Sequence, residues 1–208
     1  MTSKAPFSHP VLYCISDSAN GDPVKLFRVV VSCSVDFFQY RYKHLAEKER
    51  LQTASALAEV PRRRTRLLIN QSISLVRAVG ADGVHLPQHG SSIEDARAAL
   101  GKKLVGISVH SLPDAVRAAA SGADYLLLAP VFSPLSKPSK SEPLGLNELQ
   151  RACHAVATPV IALGGISLEN FTEVLDAGAA GIAGISMFAD IDGIENVVAR
   201  FRKVSRGK

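Results

Sequence analysis

The chain has 208 residues, 47% of them hydrophobic and 21% charged, with a formal net charge of +5. That length fits one domain, and the balance is that of an ordinary globular protein rather than a disordered or fibrous one. No apolar run approaches the roughly 20 residues that span a bilayer, and residues 1–10 carry Lys4 with no apolar stretch behind it, so the expectation is a cytoplasmic protein without a membrane partner.

Short apolar, β-branched runs alternate with helix-like stretches about every 25 residues. Strands are expected at 11–16 and 37–41, then a helix over 47–58 and a third strand at 66–70. A fourth strand at 83–86 precedes a helix over 93–100, and a fifth at 105–108 precedes one over 113–121. The sixth strand, 125–129, runs into a long Ser-, Pro- and Lys-rich stretch, 130–144, before a helix over 147–155. The seventh, 160–163, leads to a helix over 168–176 with Ser167 as its N-cap, and the eighth, 181–185, to a helix over 193–203. Strict alternation of this kind indicates a parallel sheet covered by helices, and eight pairs in so short a chain indicate a closed (β/α)8 TIM barrel forming one domain over 1–208. An open doubly wound sheet is the alternative, because periodicity alone does not prove closure.

The words "VGADG" (79–83), "SGADY" (121–125) and "DAGAAG" (176–181) repeat a helix stop, a small residue and a strand start. They support repeated βα units rather than separate domains. The 130–144 stretch has the length of a lid or binding loop. The three cysteines, Cys14, Cys33 and Cys153, form neither a zinc pattern nor a disulfide framework, which fits a reducing compartment. The one dense basic run, Arg62-Arg63-Arg64-Thr65-Arg66, has no interleaved aromatics and reads as a solvated loop, so no nucleic-acid partner is expected.

Side chains alternate faces along a strand. Phe37, Gln39 and Arg41 share one face of the second strand, and Gly106, Ser108 and His110 share one face of the region around the fifth. Their aliphatic neighbours suit the helix-facing side, so the polar set is expected to point into the barrel at its C-terminal mouth. Gln39 alone fits a structural network; Arg41, Lys43 and Lys137 together fit an anion site better. Gly164-Gly165-Ile166-Ser167 is expected to follow the seventh strand and open a helix, and Gly184-Ile185-Ser186 ends the eighth. Backbone amides at these turns suit a phosphate, and the loops after strands seven and eight are the usual phosphate site of this barrel.

These words, "FFQYRYK" (37–43), "LLIN" (67–70), "GADGVHLPQ" (80–88), "VGISVHS" (105–111), "GADYLLLAPVF…SK" (122–137), "PVIALGGISLEN" (159–170) and "AGAAGIAGISMF" (177–188), follow one another over nearly the whole chain. In that order they resemble the family of thiamine phosphate synthases and TenI-type thiazole tautomerases. The resemblance implies that Gln39, Arg41, Lys43, Asn70, Ser108 and Lys137 face a pyrimidine diphosphate. It implies that Ser136, Gly165, Ile185 and Ser186 face a thiazole phosphate, and it suggests a homodimer.

The sequence departs from the synthase pattern at three positions. Synthases hold Mg²⁺ through an aspartate after the Asn of "LLIN" and another two residues after the Gln of "HLPQ"; Gln71 and Gly90 stand there. Magnesium prefers hard carboxylate oxygens, and Glu94 or Asp95 would have to substitute. Pro134 also stands at the first threonine position of the loop, with Ser136 at the second. The expectation is therefore a metal-independent, cofactor-free isomerase of the thazole-tautomerase type acting on a phosphorylated thiazole. In it His110 shuttles the proton, and Arg41 and Lys43 hold a substrate carboxylate. For His110 a structural role, bonded to a neighbouring loop, remains the alternative. His44 and His89 read as surface residues on mouth loops, His85 as structural, and His9 and His154 as outside the site. A Mg²⁺-dependent thiamine phosphate synthase and a non-catalytic binder of thiazole or thiamine phosphate are the other two readings.

Overall fold

The computed structural model describes residues 7–42, 45–62, 64–133 and 142–205. Eight parallel strands close into a barrel in chain order: β1 (Val11–Ile15), β2 (Phe37–Tyr40), β3 (Arg66–Asn70), β4 (Gly83–Leu86), β5 (Leu104–Val109), β6 (Tyr125–Leu128), β7 (Val160–Leu163) and β8 (Gly181–Gly184). The register of β8 against β1, with Val11 opposite Gly181 and Cys14 opposite Gly184, completes the ring and rules out the open sheet. Eight helices follow the strands: α1 (Pro23–Ser32), α2 (Glu47–Glu59), α3 (Ile73–Val79), α4 (Ile93–Leu100), α5 (Leu112–Ala120), α6 (Gly145–Ala155), α7 (Phe171–Asp176) and α8 (Ile194–Ser205).

Strand alternation produces two cores. Leu12, Cys14, Phe38, Tyr40, Leu67, Ile69 and their equivalents face the helices. Val11, Tyr13, Ile15, Phe37, Leu68, Tyr125, Leu127 and Ile161 fill the barrel itself. The interior is aromatic-rich: Tyr13 meets Phe37 edge-on with ring centroids 5.4 Å apart, and Tyr125 at 5.9 Å. No helix among the described residues is long and apolar enough to cross a membrane.

The repeated Asp-containing words have a structural cause at the N-terminal end of the barrel. Asp36, Asp82 and Asp124 each stand immediately before an even-numbered strand. Their carboxylates accept the N–H of Leu12, Leu67 and Val105 on the preceding strand, at 2.7, 2.8 and 2.7 Å. Each also takes an arginine: Arg202 at 2.6 Å, Arg62 at 3.1 Å and Arg97 at 2.7 Å. Charge-assisted bonds of this kind tie strands one to two, three to four and five to six. In the fourth unit Ala180 takes the place of the aspartate and only its backbone bond to Val160 O, 2.8 Å, remains. In the basic run Arg62 departs from the solvated reading, since it is held by Asp82 and the Ala58 carbonyl, while Arg64 and Arg66 are exposed; Arg63 lies outside the described residues.

The helix start that departs furthest from the expected one is that of α7. Helix α7 begins at Phe171, not at residue 168, with Asn170 at its N-cap. Asn170 Oδ1 accepts the Ser167 N–H at 2.9 Å and its Nδ2 donates to Gly165 O at 2.9 Å, while Ser167 Oγ accepts from Glu169 N. These side-chain bonds satisfy the backbone in a separate turn before the helix, so Ser167 caps that turn instead.

Candidate functional site at the C-terminal mouth

Gln39, Asn70, Ser108, His110, Gly165, Ile185 and Ser186 all come at or just beyond the C-terminal ends of their strands, with Arg41 directly after β2. Lys43, Ser136 and Lys137, together with His44 and Pro134, lie outside the described residues. The start of the long stretch is fastened to β7 and its end to that start. Val131 N donates to Leu163 O and Phe132 N to Gly164 O, at 2.9 and 3.0 Å, and Leu144 N donates back to Pro130 O at 2.8 Å.

The loop after β1 links the two expected halves of the site. Arg41 Nη1 binds Asp17 Oδ2 at 2.6 Å. Asp17 N donates to Asn20 Oδ1 at 2.8 Å, and Asn20 Nδ2 donates to Ile185 O at 3.2 Å. Tyr42, whose one hydroxyl hydrogen lies between two acceptors, Gly21 O at 2.8 Å and Asp17 O at 3.0 Å, braces the same loop; burial pushes its phenol up to about 12, so it stays a donor. Asp17, Asn20 and Tyr42 were not singled out from the sequence, because loop-to-strand contacts leave no periodic signal.

Gly164 and Gly165 sit at φ +100° and +62°, a left-handed backbone that favours glycine. A Cβ at either would meet the loop after β6, 2.7 Å from Pro130 Cα or from Phe132 Cβ. Among the described residues the amides of Gly165 and Ser186 have no acceptor. They are therefore available to an anion, although the six-residue helix beyond starts too late to add its dipole at Gly165.

The barrel interior below the mouth carries one continuous run of polar side chains. Gln39, 1% exposed, accepts from Asn70 Nδ2 at 3.0 Å and donates to the Tyr13 hydroxyl at 2.6 Å. Tyr13 and Tyr125 hydroxyls are 3.1 Å apart, His85 Nδ1 is 3.0 Å from Tyr125, and His85 Nε2 is 2.9 Å from Ser108 Oγ. Burial, then the charge of Arg41, lowers the His85 pKa to about 3, so the ring is neutral. Tyr13, His85 and Tyr125 all occupy inward strand positions, which is the signal in the sequence that marks them.

His110 is exposed at the end of β5, with Nδ1 2.5 Å from Ala129 O. A carbonyl only accepts, so Nδ1 carries a hydrogen there. His89 lies on the mouth loop after β4, at the end of a groove of about 410 Å³ that runs between α4 and α5 and is lined also by Glu94, Val109 and Ala118. A larger cavity of about 670 Å³ opens at the opposite end, between Phe7, Phe37, Arg66 and Lys103. It contains none of the residues expected at the site, and its carboxylates Asp36 and Asp82 belong to the strand clamps. The described residues expected at the site gather instead at the C-terminal mouth.

The residues at the two metal positions do not fit a hard divalent cation. Gln71 offers a neutral amide from an exposed side chain, and Gly90 offers none. Glu94 is held at the start of α4, its carboxyl kept below the usual range by the backbone of its own turn and by Ser121. Among the described residues no three His, Cys, Asp or Glu side chains converge as a metal site.

The sequence profile of the thiamine monophosphate synthase family matches residues 12–188. The chain belongs to that family, an enzyme family of thiamine biosynthesis. It is 39% identical over 196 residues to a putative thiamine-phosphate synthase of Geobacter sulfurreducens, covering 91% of each chain. It is 36% identical over 165 residues to a thiamine-phosphate synthase of Chloroflexus aurantiacus, covering 79% of this chain and 76% of the relative. The structure of thiamine phosphate pyrophosphorylase from Pyrococcus furiosus superposes with a TM-score of 0.84 at 30% identity, covering 95% and 96% of the two chains. A geranylgeranylglyceryl phosphate synthase of Thermoplasma acidophilum, 15% identical with a TM-score of 0.68, shares the fold alone.

Proposed function

We propose that this family member is a thiamine-phosphate synthase, joining hydroxymethylpyrimidine diphosphate to thiazole phosphate at the C-terminal mouth and releasing pyrophosphate. The observation that carries this reading is the likeness to synthases over most of the chain, at 36–39% identity to the two relatives. It is preferred to the isomerase expected from the sequence, which rests on two absent carboxylates.

In this reading Arg41, oriented by Asp17, and the lysines at 43 and 137 supply positive charge to the diphosphate. Ser108 and the Gln39–Asn70 pair contact the pyrimidine, and the Gly165 and Ser186 amides receive the thiazole phosphate. With Gln71 and Gly90 at the metal positions, the charge for the departing pyrophosphate has to come from these cations.

One observation favours the isomerase as a second reading. His110 is fixed through Nδ1 by the Ala129 carbonyl, which directs Nε2, the nitrogen that would exchange a proton with substrate, away from that contact. Purified protein given both synthase substrates, with and without Mg²⁺, tests the choice. Pyrophosphate release supports the synthase. No release, with proton exchange into a thiazole carboxylate phosphate that His110→Ala abolishes, supports the isomerase instead.

A further inference from the structure

The polar run through the barrel has a direction that its chemistry dictates. Asn70 Nδ2 donates to Gln39 Oε1, which leaves Gln39 Nε2 to donate to the Tyr13 oxygen. An amide nitrogen does not accept, so the Tyr13 hydrogen goes to its other neighbour, Tyr125. Tyr125 is then left with His85 Nδ1 as the acceptor for its own hydrogen. A neutral imidazole with a bare Nδ1 carries its hydrogen on Nε2, which faces Ser108 Oγ. The Ser108 oxygen thus receives a bond from His85, which leaves its own hydrogen for a different acceptor. Burial raises both phenols, so Tyr13 and Tyr125 remain protonated donors throughout.

We propose that His85 is a positioning residue: as the Nε2–H tautomer it fixes Ser108 as a hydrogen-bond donor, so that the substrate presents an acceptor atom to Ser108. Six side chains from six strands relay this polarity, and the amide orientation at Asn70 and Gln39 sets the hydroxyl orientation across the barrel. Hydrogen bonds aligned in this way reinforce one another. The substrate half of this inference rests on the reading that Ser108 lines the substrate site; the tautomer half stands on the interior geometry alone.

Imidazole ¹⁵N–¹H correlation spectra of the wild-type protein, with the His85 signal assigned by its loss in His85→Gln, read the tautomer directly. The expected result is a neutral ring protonated at Nε2 at neutral pH. Protonation at Nδ1, or an imidazolium, would overturn the inference, because Ser108 would then donate inward or the relay would be broken. Affinities for hydroxymethylpyrimidine diphosphate and for thiazole phosphate, measured by calorimetry, test the consequence. Ser108→Ala and His85→Phe are each expected to weaken one of them about 10-fold, the loss of one bond near 1.4 kcal/mol. In the Ser108→Ala background His85→Phe should then cost less than 2-fold, and His85→Gln, which keeps a donor facing Ser108, should retain most of the affinity. Additive losses would show that His85 does not act through Ser108. Should the wild type bind neither compound, the functional reading fails, and the tautomer decides this inference by itself.

Discussion

Gly106 lies directly against the ring of Tyr125: a Cβ at residue 106 would fall inside the phenol. The glycine lets Tyr125 cross the barrel and reach both Tyr13 and His85, so the interior relay depends on the absence of one methyl group on β5. Gly106→Ala is expected to destabilise the protein by about 3 kcal/mol, the upper range for overpacking a close-packed core. Chemical denaturation checks this, and an unchanged midpoint would show that Tyr125 has room to move.

The aspartate clamps at the opposite end are a matter of stability. Asp82→Ala removes the acceptor for Leu67 N–H and the partner of Arg62, and should cost about 2 kcal/mol, the range for hydrogen bonds to a charged group. Substrate affinity should be unaffected, because Asp82 lies at the far end of the barrel. Thermal melting together with calorimetry separates the two effects.

The buried histidine gives the protein a defined pH response. His85 is held at about 3 when folded, against 6.5 for the free side chain, so the unfolded chain binds the extra proton between those values. Its contribution to stability is complete above pH 6.5 and declines as the pH falls toward 3, by up to about 1.4 kcal/mol per unit. The lowered carboxyls of Glu94 and Asp114, with ordinary values of 4.5 and 3.8, act in the same direction but at lower pH. Denaturation between pH 5 and 7 therefore isolates the histidine, and His85→Gln should flatten the slope there.

Arg41 is engaged by Asp17 on one side and keeps further donors for a ligand. Arg41→Met is expected to weaken substrate binding by about 10- to 100-fold, the equivalent of a charge-assisted hydrogen bond. Wild-type affinity in that variant would reduce Arg41 to a brace for the β1 loop.

The barrel was legible because each strand is a short apolar run at a regular interval, and the inward faces of β2 and β5 followed from alternation. The positions of Gln39 and Ser108 at the mouth were accessible for the same reason, whereas Asn70 came only from the family resemblance. Three features were hidden. The Asp36, Asp82 and Asp124 clamps look like helix stops in sequence, since their partners Arg202, Arg62 and Arg97 come from other units. The role of Asn170 in delaying α7 depends on side-chain bonds to Ser167 and Gly165 that compete with helix formation. His85 reads as a structural residue until Tyr13, Tyr125 and Ser108 are brought around it by barrel closure. Cross-strand relationships of this kind follow from register, which a single strand does not encode.

A crystal structure of the protein with thiazole phosphate tests the central claim most directly. The account predicts the phosphoryl group against the amides of Gly165 and Ser186, with Ser108 and the Gln39–Asn70 pair left open for the pyrimidine. Density for the ligand in the cavity beside Phe37 and Arg66, or a mouth left empty at saturating ligand, would contradict it.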